Sequence, residues 1–446
     1  MLNVIGDSGK TVDWWFMYKV SKESHTTTGQ TVTGGEYAYF DSSMSKQRSA
    51  KLVLSKKRVD KRNGALHETL GQLFTEDAKA NRSLGWYCYN DEDQLGGDGE
   101  ITGDSERGHC KGVLAFDLES NSAFWLIHTV PMFPLTTDAS YPTSGLSMAQ
   151  TSLCIALPDV DTAKSIAQLM FDAHGPNVNL ASDLLLKSLT HPNGFSKSEM
   201  PLTDMLAMLQ KDDPRVMLMQ NLNGSLKKPK PYSGRIAFHS LAGEKFIAIG
   251  KNKAWGNPKL DRGGEKDFYD DLVGPVLNED IAVETWATAG SRISADVERG
   301  DKLRVESMRS VNLKSQGIPF SWSSKVDPGR VAIADRSNSE SSDRWVCVGD
   351  INFADALDAF GGGTVAFKCP ALWSSLAQAI SEEAEAVPPH HVPAPPAPKK
   401  VLVVQEVSSP VSGKKSRSGK AETSAKPAVT SKSKTKTVAK VSTKAK

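Results

Sequence analysis

The chain carries two successive sets of short segments rich in aromatic and β-branched residues, and this doubling limits its fold more than any other feature. The first set is VDWWFMYKV (12–20), GEYAYFD (35–41), LGWYCYN (84–90), GVLAFD (112–117), AFWLIHTV (123–130) and TSLCIAL (151–157). The second is SGRIAFHSL (233–241), KFIAIGK (245–251), IAVETWA (281–287), RVAIAD (330–335), RWVCVGDIN (344–352) and GGGTVAFK (361–368). Segments of this composition bounded by turn residues predict strands. Between the sets, DTAKSIAQLMFDA (161–173), ASDLLLKSL (181–189) and EMPLTDMLAMLQK (199–211) space their apolar residues as helices do. DFYDDLVGPVL (267–277) and ALWSSLAQAISEEAEA (371–386) read as helices of the second set. Strands and helices twice over predict an α+β fold of two similar α/β halves, about 1–215 and 216–387, although residue identity reveals no internal repeat.

The pattern stops at Pro388. PPHHVPAPPAP (388–398) predicts a stiff linker over 388–400, and residues 401–446, which lack any aromatic, predict a disordered tail. From Lys399 onward there are 13 Lys/Arg against 2 Glu, a net charge of +11, which leaves −9 on the remainder of a chain whose total is +2. Cations spaced by Ser, Thr, Ala and Pro are the composition of arms that bind nucleic acid by counterion release. A nuclear-import signal, attachment to an acidic membrane surface and a merely solubilising extension are the alternatives for this tail. No apolar stretch is long enough to cross a bilayer. The N-terminal MLNVIGDSGKTVDWW has no charged region followed by an apolar core, so no signal peptide is read from it, and an intracellular or nuclear location follows unless a leader has been removed. Cys88, Cys110, Cys154, Cys347 and Cys369 are few, odd in number and without zinc-site spacing, which predicts reduced core thiols.

Chemistry enters at RGHCKG (107–112). In extended chain, residues two apart point to one face, so His109 and Lys111 project together while Cys110 points away. An imidazole beside a fixed ammonium suits a phosphodiester: the first attacks phosphorus or moves a proton, the second holds the charge that develops. Taken alone, a His-x-Lys is more often a solvated strand edge.

The surrounding residues change that balance. IGDSGKTVDWWFMYK (5–19), RGHCKGVLAFD (107–117), FWLIHTVPMFP (124–134), AQTSLC (149–154), FIAIGKNKAWGNPKLDRGGEKDFYDDLV (246–273), WVCVGDIN (345–352) and GGGTVAFKCPALW (361–373) resemble, in that order, the deoxyribonuclease II family. The resemblance covers roughly residues 3–380. It implies a pseudo-dimeric fold like that of the phospholipase D superfamily, in which each half gives a His-x-Lys to one site. It also implies a metal-independent endonuclease of DNA, without cofactor, active at acid pH and leaving 3′-phosphate and 5′-hydroxyl ends. One histidine then attacks phosphorus, the other protonates the leaving oxygen, and the lysines hold the equatorial oxygens. Members of the family are otherwise lysosomal or secreted.

His109 and Lys111 supply the first motif. The second, an Asp-His-Ser/Ala-Lys-Trp pattern upstream of WVCVGDIN, is missing. DPGRVAIAD (327–335) places Pro328 at the histidine and Arg330 at the lysine; WSSKV (322–326) places Ser323 at the histidine and retains Lys325. Either alignment loses the imidazole. General acid catalysis contributes ~10²–10⁴-fold, so a site without its acid is slow, and a site without its nucleophile is dead. Arg330 or Lys325 remains a phosphate ligand. By the same resemblance Asn352 and Gln150 are polar substrate-binding candidates and His128 a structural support, whereas hydrogen bonding that holds strands together is an equal reading for the first two. His239 and His191 are not expected to fill the gap. Three functions follow: an impaired deoxyribonuclease II-like hydrolase, a DNA-binding pseudo-nuclease, and a lipid phosphodiesterase, the last disfavoured because no amphipathic membrane-seeking segment is present.

Overall fold

Strand β1 (Trp14–Lys19) shows how the aromatic segments are used. All six of its residues are buried, as in a strand covered on both faces. Alternation sends Trp14, Phe16 and Tyr18 into one core and Trp15 and Met17 into another. The computed structural model describes residues 1–47, 49–81, 83–93, 102–103, 108–134, 138–174, 178–181, 230–287, 303–334, 343–353 and 360–381. Of the sequence-predicted helix at 181–189 only Ala181 is described, as the end of the strand Val178–Ala181; the predicted helix at 199–211, the linker and the basic tail lie outside these residues.

The strands follow the predicted segments closely. In the first half they are β1, β2 (Tyr37–Asp41), β3 (Leu84–Tyr89), β4 (Gly112–Asp117), β5 (Ser122–His128) and β6 (Gln150–Leu157). In the second they are β7 (Ser233–His239), β8 (Lys245–Lys251), β9 (Ile281–Thr285), β10 (Arg330–Ala334), β11 (Trp345–Gly349) and β12 (Gly362–Lys368). The fold is mixed α+β, as expected. Its two large sheets are accompanied, among the described residues, by a four-stranded and a two-stranded one.

In the first large sheet the order β3-β4-β5-β6-β1 is followed by β2; in the second, β9-β10-β11-β12-β8 is followed by β7. Every pairing within these runs is antiparallel. Each run puts an early strand beside the last one, and each last strand leads into a helix, α1 (Val160–Leu169) after β6 and α2 (Pro370–Ala379) after β12. This agreement lies in topology, which is why residue identity does not reveal it. Helix α1 starts where the Asp159 carboxylate accepts the Thr162 N–H at 2.7 Å. Helix α2 starts with Pro370, whose missing N–H costs nothing in a first turn, and ends at Ile380–Ser381, which joins the four-stranded sheet instead of continuing to residue 386.

The inner faces of both sheets and the two helices share one core. Trp14 meets Phe367 edge-on at 5.0 Å, and Tyr18 meets Trp322 at 5.2 Å. The far face of the first sheet is covered by the helix Ala65–Gly71 and the N-terminal segment around Val4, an arrangement that the sequence did not predict. All five cysteines are buried and unpaired. No helix among the described residues is long and apolar enough to cross a membrane.

Because Trp14 joins the sheets and donates its indole N–H to Glu244 Oε2 at 2.8 Å, Trp14→Ala should cost ~3–5 kcal/mol of unfolding free energy in urea titrations. Val53→Ala, at a side chain 43% exposed, should stay within ~0.5 kcal/mol. Similar losses for the two variants would contradict a shared core held by Trp14.

Candidate active site

His109, Cys110 and Lys111 immediately precede β4, and residues of the second half hold them in place. The His109 N–H donates to Gly361 O at 2.8 Å, and the Lys111 N–H donates to Asp350 Oδ1 at 3.3 Å. Cys110 is buried in the shared core. Lys111 is 4% exposed, and its ammonium donates to Asp91 Oδ2, just beyond β3. The same oxygen lies 3.0 Å from His109 Nε2. His109 Nδ1 lies 3.2 Å from the main-chain oxygen of Asp350. A carbonyl and a carboxylate both only accept, so facing the two at once puts a proton on each ring nitrogen; in the neutral ring Nδ1, held by the carbonyl, is the one that keeps it.

The charges around this centre shape one another. Burial alone would raise the Asp91 carboxyl, but the Lys111 ammonium and His109 together bring it well below the ordinary range. Burial, then the Lys111 charge, lowers His109, with Asp91 opposing and Arg330 assisting. Burial drives His128 down to about 3, helped by Lys111, so this second imidazole beside the centre is neutral. Asp350 behaves in the opposite sense: burial pushes it up to about 7 in spite of Lys111 and Arg330.

The structure brings His109, Lys111 and Arg330 together, since Arg330 acts on His109, Asp91 and Asp350 through its charge. Arg330 is 3% exposed and donates from Nη1 to Pro328 O at 3.0 Å. Gln150 joins the same neighbourhood through Thr129, whose hydroxyl donates to Gln150 Oε1 at 2.6 Å and accepts from the Thr151 N–H at 3.0 Å, while Thr151 Oγ1 accepts the Arg330 N–H at 3.2 Å. Asn352 is buried two residues beyond Asp350. Lys325 is exposed on the turn Ser324–Val326, and its side chain makes no hydrogen bond or ion pair among the described residues. Ser323, which the same alignment places at the histidine position, accepts the Lys325 N–H at 3.3 Å. His239 is exposed at the end of edge strand β7, and His191 lies outside the described residues.

Asp91 Oδ1, His128 Nε2, Gln150 Nε2, Arg330 Nε and Asn352 Oδ1 are buried without a hydrogen-bond partner among the described residues. Each such atom costs ~1–3 kcal/mol unless something completes it, so each is a point at which a polar ligand would gain a contact. Among the described residues no three His, Cys, Asp or Glu side chains come together as metal ligands would. Sequence reasoning missed Asp91 and Asp350. The first sits in NDED, which reads as a solvated acidic loop; the second stands in the GDIN segment from which only Asn352 was drawn.

The turn that delivers Arg330 depends on a buried acid. Asp327 Oδ1 accepts the Gly329 N–H at 2.8 Å, and Oδ2 accepts Tyr18 Oη–H at 2.5 Å and Trp322 Nε1–H at 2.6 Å. Beside it, Glu284 is fully buried. Burial first, and the Asp327 charge second, raise Glu284 well above the ordinary range, so the pair's proton rests there. A carboxyl raised on folding stabilises below its unfolded value, ~4.3, and loses that contribution as pH rises. The melting-temperature difference between Glu284→Gln and the parent protein should therefore move in favour of the variant from pH 4.5 to pH 8. Parallel melting curves would remove the protonated Glu284.

Comparisons with known proteins place the chain in a family. The family model described as Deoxyribonuclease II matches residues 4–385. The chain is 33% identical over 372 residues to the "Putative deoxyribonuclease-2" of Burkholderia pseudomallei, covering 83% of this chain and 90% of that one. It is 28% identical to Deoxyribonuclease-2 of Caenorhabditis elegans, over 82% of this chain and 90% of the other, and 25% identical to Deoxyribonuclease-2-alpha of Rattus norvegicus, over 84% and 92%. With its one His-x-Lys centre enclosed by both sheets and a family match that spans nearly all of the described residues, the chain belongs to the deoxyribonuclease II family.

Proposed function

We propose that the protein is a metal-independent endonuclease that hydrolyses DNA phosphodiesters to 3′-phosphate and 5′-hydroxyl ends, in a pseudo-dimeric fold like that of the phospholipase D superfamily. The observation that carries this reading is the convergence of His109, Lys111 and Arg330 from the two halves on one buried anion position, now taken by Asp91. The matching strand orders of the two sheets support the pseudo-dimer.

The chemistry follows from the contacts. Asp350 O holds Nδ1–H and leaves Nε2 to attack phosphorus. A scissile phosphate displaces the Asp91 carboxylate from Nε2 and from the Lys111 ammonium, so substrate and Asp91 compete for the same two donors. Arg330 meets the growing negative charge from the second half, and a guanidinium suits phosphate oxygens. Gln150 Nε2 and Asn352 Oδ1 complete the polar lining. Nucleophile and counter-charge are both supplied by side chains, and this is the basis for metal independence. The +11 tail adds affinity for DNA without sequence preference.

A second reading is a DNA-binding pseudo-nuclease, favoured by one observation: the sequence holds a single His-x-Lys, with Pro328 at the other imidazole position. Plasmid incubated in EDTA from pH 4.5 to 8 separates the two. Nicking that vanishes in His109→Ala supports the nuclease; a folded protein that retards DNA in gels and never nicks it supports the pseudo-nuclease.

The two alignments of the lost motif are separable as well. Arg330→Gln should lower kcat/KM by ~10²–10³-fold, the loss typical of one charge-stabilising donor, while Lys325→Gln should change it less than about tenfold. The reverse ranking would assign the phosphate contact to Lys325.

A further inference from the structure

The site lacks the second imidazole that would protonate the leaving oxygen, and the second half places a different acid at the centre. Asp350 leaves β11 in the loop that receives the motif. Its carbonyl faces His109 Nδ1 at 3.2 Å, and its Oδ1 accepts the Lys111 N–H at 3.3 Å. Its other oxygen, Oδ2, makes no hydrogen bond among the described residues. The carboxyl is 4% exposed and interacts through its charge with both Lys111 and Arg330, the two cations assigned to the phosphate. From these contacts we infer that Asp350 is the general acid of this site, donating its carboxyl proton to the 5′-oxygen as the nucleotide leaves. The inference rests on the nuclease reading proposed above.

The step balances. The Nε2 lone pair of His109 forms the N–P bond as the P–O5′ bond breaks; the electrons of that bond go to O5′, which takes the Asp350 proton. Asp350, now a carboxylate, removes a proton from water as the water oxygen attacks phosphorus. The N–P bond breaks, the lone pair returns to His109, and the 3′-phosphate leaves.

The other titratable groups at the centre do not fit the role. Asp91 is held ionised by Lys111, and His128 is neutral at the pH where an acid is required. Arg330 does not give up a proton. Tyr269 and Tyr89 are both raised by burial, and the Tyr269 hydroxyl is spent on Ile351 O at 2.6 Å. Cys110 is a thiol raised by burial, with Asp350 adding to the rise. Burial, with the Asp91 charge acting the same way, outweighs Lys111 and Arg330, which favour ionisation of Asp350, so the carboxyl carries its proton below about pH 7.

Two substrates test this, each attacked at the same 3′-phosphoryl group: plasmid DNA, whose 5′-alkoxide must be protonated to leave, and thymidine 3′-(4-nitrophenyl phosphate), whose nitrophenolate leaves without a proton. Asp350→Asn keeps the shape and the acceptor for the Lys111 N–H. It should lose ~10²–10⁴-fold in DNA cleavage. The first burst of nitrophenolate, released before the water step in which Asp350 also takes part, should stay within about tenfold of the parent protein. The parent's DNA cleavage should also fall as pH rises through about 7, a limb absent from its nitrophenolate burst. The retained burst also shows that the variant is folded. Equal losses of DNA cleavage and of the burst, or undiminished DNA cleavage by Asp350→Asn, overturn the assignment. A parent protein that cleaves neither overturns the nuclease reading itself and this assignment with it, an outcome distinguished by the parent rates alone.

Discussion

A buried ammonium needs an anion, and at the centre of this protein Asp91 meets that need for Lys111. The pairing draws the loop after β3 onto the motif that opens β4, and through the shared Oδ2 it fixes His109 as well. Removing one partner of such a buried pair strands the other in a medium that solvates it poorly, at a cost of roughly 3–5 kcal/mol. The free site therefore satisfies itself. Under the proposed nuclease function, affinity for a phosphate is a difference between two anions competing for the same donors, which sets binding against stability at one atom.

The two halves contribute unequally to that centre. The first supplies the His-x-Lys and the Asp91 clamp; the second supplies a receiving loop, a guanidinium and a buried carboxyl. Pro328 has no proton to transfer and no lone pair with which to attack, so whatever the second half gives to a reaction comes from Arg330 and the Asp350 segment. The cost of placing Arg330 there is met below it, where Asp327 takes three hydrogen bonds, one of them from Tyr18 of the first half. Burying several acids side by side links the geometry of the site to pH. Asp350 and Glu284 are raised by burial, while Asp91 is held down by its cations.

The strands were legible because each is a local pattern of aromatic and β-branched residues, and the structure keeps all twelve with small changes at their ends. Helix α2 ends seven residues before the predicted stretch does, because Ile380 finds a strand partner in Val311 that no local pattern announces. The helix Ala65–Gly71 escaped because seven residues between a glycine and a loop carry too little periodicity to stand out.

The sequence by itself determined the strand set, the pairing of His109 with Lys111, and the absence of a second His-x-Lys, since these depend on residue identity and on spacing within a few positions. Tertiary structure alone decided that Arg330 rather than Lys325 stands among the charges of the centre, that Asp91 pairs with both His109 and Lys111, and that Asp350 faces a histidine 241 residues away. The physical reason is that hydrophobic pattern acts along the chain, whereas charges meet only where sheet register and the packing of the two halves put them, and burial then sets how strongly they act on one another.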